Sequence, residues 1–239
     1  MVWLIIVVSV LLIALLLWWL LIRTEGVYLG RSVVIKLYDF YAARYDSIVQ
    51  IEDIDEHVHL AIPIMTKLKP HINPLVLDVA TGTGRIPLAL CQHARFEGSI
   101  IGLDASSGML KQAIRKIDDN HFEQYVSFLH GDGLSLPFND NSFDLVTCME
   151  ALEFMPSPEK GLQELVRVLR PSGILLTTRR INEFMPSRVW SQEHMQNLLL
   201  SAGMDAIEFE KWQYDYEKVW AIKSGKSYFI GAQSDEMRL

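Results

Sequence analysis

The chain has 239 residues, a formal net charge of −7, and hydrophobic side chains at half of its positions. That length suits one domain with a sizeable core. The acidic balance lacks the basic footprint of a nucleic-acid binder, so no DNA or RNA partner is expected. Cys91 and Cys148 sit in apolar surroundings without metal-ligand spacing and read as buried free thiols in a reducing compartment.

The first element is apolar. Residues 2–22 carry no charge, and Ser9 is their one plainly polar side chain. At about 1.5 Å per residue a helix of this length reaches roughly 30 Å, the thickness of a bilayer's hydrocarbon core. Trp3 near one end and Trp18 and Trp19 near the other stand where interfacial aromatics belong. A secretory signal is the competing reading. It would want a basic start, a shorter apolar run and small residues at a cleavage site, whereas bulky Trp-Trp-Leu-Leu-Ile stands there. An uncleaved anchor over 1–23 is therefore expected. Arg23, Arg31 and Lys36 follow it, which places the rest of a single-pass chain on the cytoplasmic side.

Residues 24–70 read as a linker and lid helices, with helical spacing over Val33–Gln50 and again over His57–Lys69, the latter kinked or started by Pro63. From 71 to 225 short β-branched runs alternate with longer periodic ones. Strands are expected at 75–79, 99–104, 126–130, 143–149 and 173–178, and helices at 85–93, 108–120, 158–169 and 191–202. Such alternation implies a parallel sheet covered on both faces. Two closely spaced strands near 206–212 and 218–223 should pair as a hairpin and bring antiparallel pairing to the sheet edge. Residues 226–239 read as a tail.

The chemistry-bearing segment is Leu75 to Arg85, LVLDVATGTGR, in which an apolar strand runs into a small-residue turn and a helix. Gly82 and Gly84 allow backbone to approach a ligand at the helix N-terminus. Alone, such a turn could be a tight strand–helix connection with no ligand. The next strand, however, ends in Asp104, an acidic residue placed to meet ribose hydroxyls, and the third ends in Asp132, which can accept from an exocyclic amine. Asp78, Asp104 and Asp132 at three successive strand ends form a coherent adenosine site.

The motifs LDVATGTGR, GLDASSGML, GDGLSLPF, NSFDLVTCMEALEFM and ELVRVLRPSGILL together resemble class I S-adenosylmethionine-dependent methyltransferases. The similarity is to the group that includes the type 11 domain and the ubiquinone/menaquinone C-methyltransferases, and it covers about Tyr38 to Lys223. It implies a Rossmann-like α/β fold with a mostly parallel seven-stranded sheet and an antiparallel edge strand. It also implies S-adenosyl-L-methionine as cofactor. By resemblance, Asp78 to Gly84 (with Ala80, Thr81 and Gly82) would hold the methionine part, with Asp78 engaging its amino group. Asp104 would bind the ribose, with Ala105 beside the adenine, and Asp132 and Gly133 would meet the adenine edge. Met149 and Glu150 would line the methyl end. The segment Tyr38 to Asp46 resembles the helix that closes over the cofactor and contacts the acceptor. Ala80 replaces the first glycine of the fuller motif, and Glu153 stands where relatives often carry His.

A nicotinamide dehydrogenase is the nearest rival, but position 87 is Pro where a third glycine or alanine would close its motif. An acidic residue before the loop suits an ammonium group and opposes a phosphate. Methyl transfer needs positioning and a dry pocket, with a base only if the acceptor loses a proton. Tyr41, Tyr45 and Glu150 are the catalytic candidates, with Asp46 and Glu153 as further bases. Glu52, Asp53, Asp55, Glu56, His57 and His59 form an acidic helix start, and no metal is expected. Arg179 and Arg180 follow the fifth strand, where they could meet an anionic acceptor or face solvent. A tethered domain would favour a lipophilic, membrane-borne acceptor over a free metabolite. The alternative is a non-catalytic methyltransferase-like membrane subunit.

Overall fold

The computed structural model describes residues 1–49, 53–68, 73–182 and 185–225. The expected tail, 226–239, lies outside them. Helix α1 (Val2–Trp18) continues through a π-turn (Trp19–Arg23), giving a helix of 22 residues long and apolar enough to cross a membrane, with none of the stretch buried in the protein.

The body is a seven-stranded sheet of order β3-β2-β1-β4-β5-β7-β6. Its strands are β1 (Leu75–Val79), β2 (Ser99–Asp104), β3 (Val126–His130), β4 (Phe143–Cys148), β5 (Leu169–Arg180), β6 (Met204–Lys211) and β7 (Tyr216–Lys223). The first five run parallel. The expected hairpin forms the edge: β7 runs antiparallel to both β5 and β6 and lies between them. Alternate residues of the central strands supply the two cores. Leu77 and Val146 pack beneath α8 (Pro158–Val168) and α9 (Gln192–Ser201). Val76 and Leu145 pack beneath α5 (Ile62–Lys67) and α6 (Arg85–Cys91). Helix α7 (Ser107–Asp119) is capped by Ser106 Oγ, which accepts from the Met109 N–H, and it buries Met109, Leu110, Ala113 and Ile117 at helical spacing. Met109, Leu110 and Ile117 each contribute about 1.5–3 kcal/mol when fully buried.

The lid differs from expectation in detail. The run from Val33 is split into α2 (Arg31–Tyr41), a 3₁₀ turn (Ala42–Arg44) and α3 (Tyr45–Val49), with Gln50 outside the described residues. The second run begins earlier, at α4 (Asp53–Glu56), and passes through a π-turn (His57–Ala61) before α5. Pro63 explains the π-turn. It has no N–H to give the carbonyl of His59, four residues back, and its ring crowds that carbonyl. The buried Lys218 ammonium supplies the missing donor at 3.1 Å. Strand β5 begins four residues earlier than expected and ends later, so Arg179 and Arg180 are strand residues paired opposite Glu217 and Tyr216.

Candidate active site

The carboxyl ends of β1, β2, β3 and β4 face the lid, as open α/β sheets require of a ligand crevice. Two adjoining cavities lie there. The larger encloses ≈ 830 Å³ of empty space and opens to solvent; the smaller encloses ≈ 390 Å³. They share the walls made by Tyr45, Ala80, Gly82, Met149 and Glu150.

The glycine turn is built as its sequence demands. Ala80, Gly82 and Gly84 all have positive φ, at 57°, 55° and 78°. The two glycines differ in purpose. A Cβ on Gly82 would meet nothing within 4 Å, so the space beside it is open to a ligand. A Cβ on Gly84 would stand 3.1 Å from the Ala113 Cβ, so this glycine lets α6 approach α7 and does not line either cavity.

The three acidic strand ends have distinct surroundings. Asp78 is buried, and its oxygens accept from Thr81 Oγ1 at 2.7 Å and Thr147 Oγ1 at 2.6 Å. Burial pushes its carboxyl up to about 6 against those hydrogen bonds, because desolvation disfavours the charged form. It lines the smaller cavity together with Thr81. Asp104 accepts from the Gly82 N–H at 2.8 Å and the Ser106 N–H at 2.7 Å; burial raises its pKa, and these donors oppose the shift. It lines the larger cavity beside Ala105. Asp132 and Gly133 line that cavity too, but Asp132 accepts from Arg31 Nη1 at 2.7 Å and from the Leu134 N–H at 2.9 Å. The Arg31 pair lies 101 positions apart, and nothing local in the sequence announces it.

Of the catalytic candidates, Tyr45 and Glu150 come together at the wall shared by the two cavities. Burial, with the Glu150 charge nearby, drives the Tyr45 phenol well above its usual range, so it stays protonated. Glu150 has a positive φ of 52°, its N–H donates to Thr178 Oγ1 at 2.6 Å, and its carboxylate accepts from Arg85 Nη2 at 3.1 Å. Arg85 also pairs with Glu56 at 2.8 Å. Tyr41 packs edge-on against the exposed Phe40 and is not among the cavity-lining residues. Its place is taken by Tyr38, which lines the larger cavity and donates to Glu25 Oε2 at 2.6 Å. Asp46 is held by Thr83 and Lys116, clipping the lid to the body.

Glu153 and the two arginines stand apart from the cleft. Glu153 is buried, accepts from the Tyr216 hydroxyl at 2.6 Å, and is pushed up to about 7 by desolvation. Arg180 donates to the same hydroxyl at 3.1 Å, while Arg179 pairs with Glu217 at 2.6 Å, so neither arginine faces solvent or the cleft. Of the acidic run, Glu52 lies outside the described residues, Glu56 is paired as above, and His57 stacks on His93. Cys148 is buried and Cys91 partly so, and burial pushes the Cys91 thiol up to about 12. The apolar wall of the larger cavity joins Val34 and Ile35 of α2 to Phe154 and Met155 at the end of the NSFDLVTCMEALEFM motif, a meeting that no local pattern announces.

A doubly wound sheet whose strand ends carry a glycine turn and three carboxylates around a two-part cleft defines a nucleoside-cofactor enzyme fold. Residues 77–177 match the family model described as "Methyltransferase domain". The chain is 31% identical over 180 residues to a demethylmenaquinone methyltransferase of Lactiplantibacillus plantarum, covering 74% of this chain and 76% of that one. It is 34% identical over 146 residues to the Staphylococcus saprophyticus enzyme of the same name, covering 61% of each. The structure of an S-adenosylmethionine-dependent methyltransferase from Aquifex aeolicus superposes with a TM-score of 0.57 at 22% identity, covering 68% of this chain and 89% of that one, a likeness of fold. The chain therefore belongs to the class I S-adenosylmethionine-dependent methyltransferases, and S-adenosylmethionine is its cofactor.

Proposed function

We propose that this enzyme methylates a small lipophilic acceptor of quinone type while anchored in a membrane through residues 2–22. One observation carries the reading. The cleft runs from Gly82 and Asp104 to an apolar wall of Val34, Ile35, Phe154 and Met155, and part of that wall is the helix that directly follows the apolar span. Relatives named for demethylmenaquinone support the acceptor class. The catalytic body lies on the cytoplasmic side, following the basic residues after the span. The chain divides into the anchor (1–23), lid (24–70), catalytic domain (71–225) and tail (226–239).

Held by the residues named below, the cofactor would supply an electrophilic methyl group on a sulfonium, a leaving group that needs no acid. The chain's residues do the rest. Asp78, with Ala80, Thr81 and Gly82, holds the amino-acid part; Asp104 holds the ribose; Ala105, Asp132 and Gly133 frame the adenine; and Met149 flanks the methyl end. Gly84 serves by packing α6. Tyr45 positions the acceptor as a protonated phenol. Glu150, oriented by Arg85 and by its bond to Thr178, takes a proton where the acceptor must lose one. Val34, Ile35 and Phe154 exclude water, which strengthens these contacts.

Transfer of labelled methyl from S-adenosylmethionine into a total lipid extract by the full chain tests this. Label in an extractable quinone-like lipid is expected. Label confined to a water-soluble metabolite overturns the acceptor class.

A further inference from the structure

The anchor is not joined to the body by a loose tether. Trp19, in its last turn, stacks on Tyr28 at 5.2 Å, and the Tyr28 hydroxyl donates to the Pro186 carbonyl at 2.6 Å. Thr24 and Val27 are buried, and Glu25 accepts from Tyr38 on α2. The exit from the span is thus packed against the lid, and α2 starts within a few residues of it.

Helix α2 has an apolar inner face and one fully presented aromatic on its outer side. The inner face meets the cleft with Val34, Ile35 and Tyr38. On the outer side Phe40 is 81% exposed; Lys36 lies one turn before it and Arg44 one turn after. Leu29, before α2, and Ile48, two turns beyond Phe40 in the chain, are 43% and 60% exposed. The acidic residues of the segment are turned the other way. Asp39 accepts from Ser106 Oγ and the Gly108 N–H, and Asp46 is held by Thr83 and Lys116. An outward surface of aromatic, aliphatic and basic side chains, with Asp39 hydrogen-bonded toward the start of α7 and Asp46 paired with Lys116, fits an anionic bilayer interface. It also follows, within a few residues, a helix long and apolar enough to cross a membrane.

We propose that the outer face of Leu29–Ile48, centred on Lys36, Phe40 and Arg44, lies in the headgroup region of an anionic membrane. Anchor and lid then make one footprint, and the cleft opens next to the lipid. This rests on the anchored reading above.

The test uses the full chain in vesicles of phosphatidylcholine with or without phosphatidylglycerol. A fluorophore sits at Phe40→Cys or, as control, at Gln124→Cys beyond the opposite end of the sheet, in a Cys91→Ser background. Lipid-borne spin labels should quench position 40 and spare position 124. Lys36→Gln and Arg44→Gln should each lower the docked-to-undocked ratio about fivefold in phosphatidylglycerol vesicles, as expected for about 1 kcal/mol per basic residue. Phe40 is exposed, so its replacement leaves the core intact. A chain that floats with the vesicles while position 40 stays in water overturns the footprint but not the anchor. A chain that fails to float overturns both. A label shielded from water but unquenched, in a chain that sediments as a dimer, assigns the face to a second copy and overturns the proposal.

Discussion

At the residue scale, Asp78 and Asp104 carry different physics. The buried Asp78 carboxyl titrates at about 6, above its ordinary value of 3.8. Folding therefore disfavours its ionised form relative to the unfolded chain, and its effect on stability is a loss as pH rises from about 4 to about 6. A ligand ammonium reverses that preference. Cofactor affinity should rise with pH up to about 6 and level off above it. Calorimetry near pH 5.5 in buffers of different ionisation enthalpy should record proton release, and pH-independent binding across this range would exclude the role. Asp104→Ala removes the acceptor for the Gly82 and Ser106 amides as well as the ribose partner. Hydrogen bonds to a charged group are worth about 1.5–3 kcal/mol, so cofactor affinity should fall about ten- to a hundredfold by titration calorimetry. Glu153→Gln keeps an acceptor for Tyr216 but removes the partial charge that faces the buried Arg180 guanidinium at 3.7 Å, so it should destabilise at pH 7 and approach neutrality at pH 5, where the carboxyl is protonated. Glu153→Leu strands that hydroxyl and should cost about 1–3 kcal/mol by denaturant unfolding.

At the element scale, the strand–turn–helix unit separates folding from binding. Gly82→Ala and Gly84→Ala both place a side chain at positive φ, at a cost of about 1–2 kcal/mol each. Only the Gly84 substitution also drives a methyl toward Ala113. Thermal unfolding should therefore show the larger loss for Gly84→Ala, while calorimetry shows the larger loss of cofactor affinity for Gly82→Ala. Much of this unit is legible from sequence. The bounds of β1, β2 and β3 coincide with the runs read as Leu75–Val79, Ser99–Asp104 and Val126–His130: β1 is buried against both layers and so must be largely apolar, while the mostly exposed edge strand β3 is marked by its short apolar run and the turn formers that follow it. Around Pro63 the sequence marks a kink, but the form of that kink, a π-turn completed by Lys218, depends on a residue 159 positions away.

At the scale of the whole molecule, the span, the exit turn and the lid form one packed assembly. Removing residues 1–22 takes away Trp19 and its stack on Tyr28 but leaves Glu25, Tyr38 and the glycine turn in place. Such a chain should still bind cofactor within a few-fold of the full protein by calorimetry and lose most of its turnover on a membrane-borne acceptor. Equal turnover by both chains on that acceptor would remove the anchor from the mechanism.

By itself the sequence determined the alternation of strands and helices, the glycine turn, the three acidic strand ends and the apolar span. Each is written in neighbouring residues, as periodicity, a small-residue turn or an uninterrupted apolar run. The tertiary structure alone decided that Arg31 meets Asp132, that Tyr38 and not Tyr41 reaches the cleft, that Arg180 is buried on Glu153 and Tyr216, and that the anchor's last turn is packed onto the lid. The physical reason is burial. Which face of a helix is covered, and which charge finds a partner there, depends on surfaces far apart in the chain that meet only after the sheet has formed.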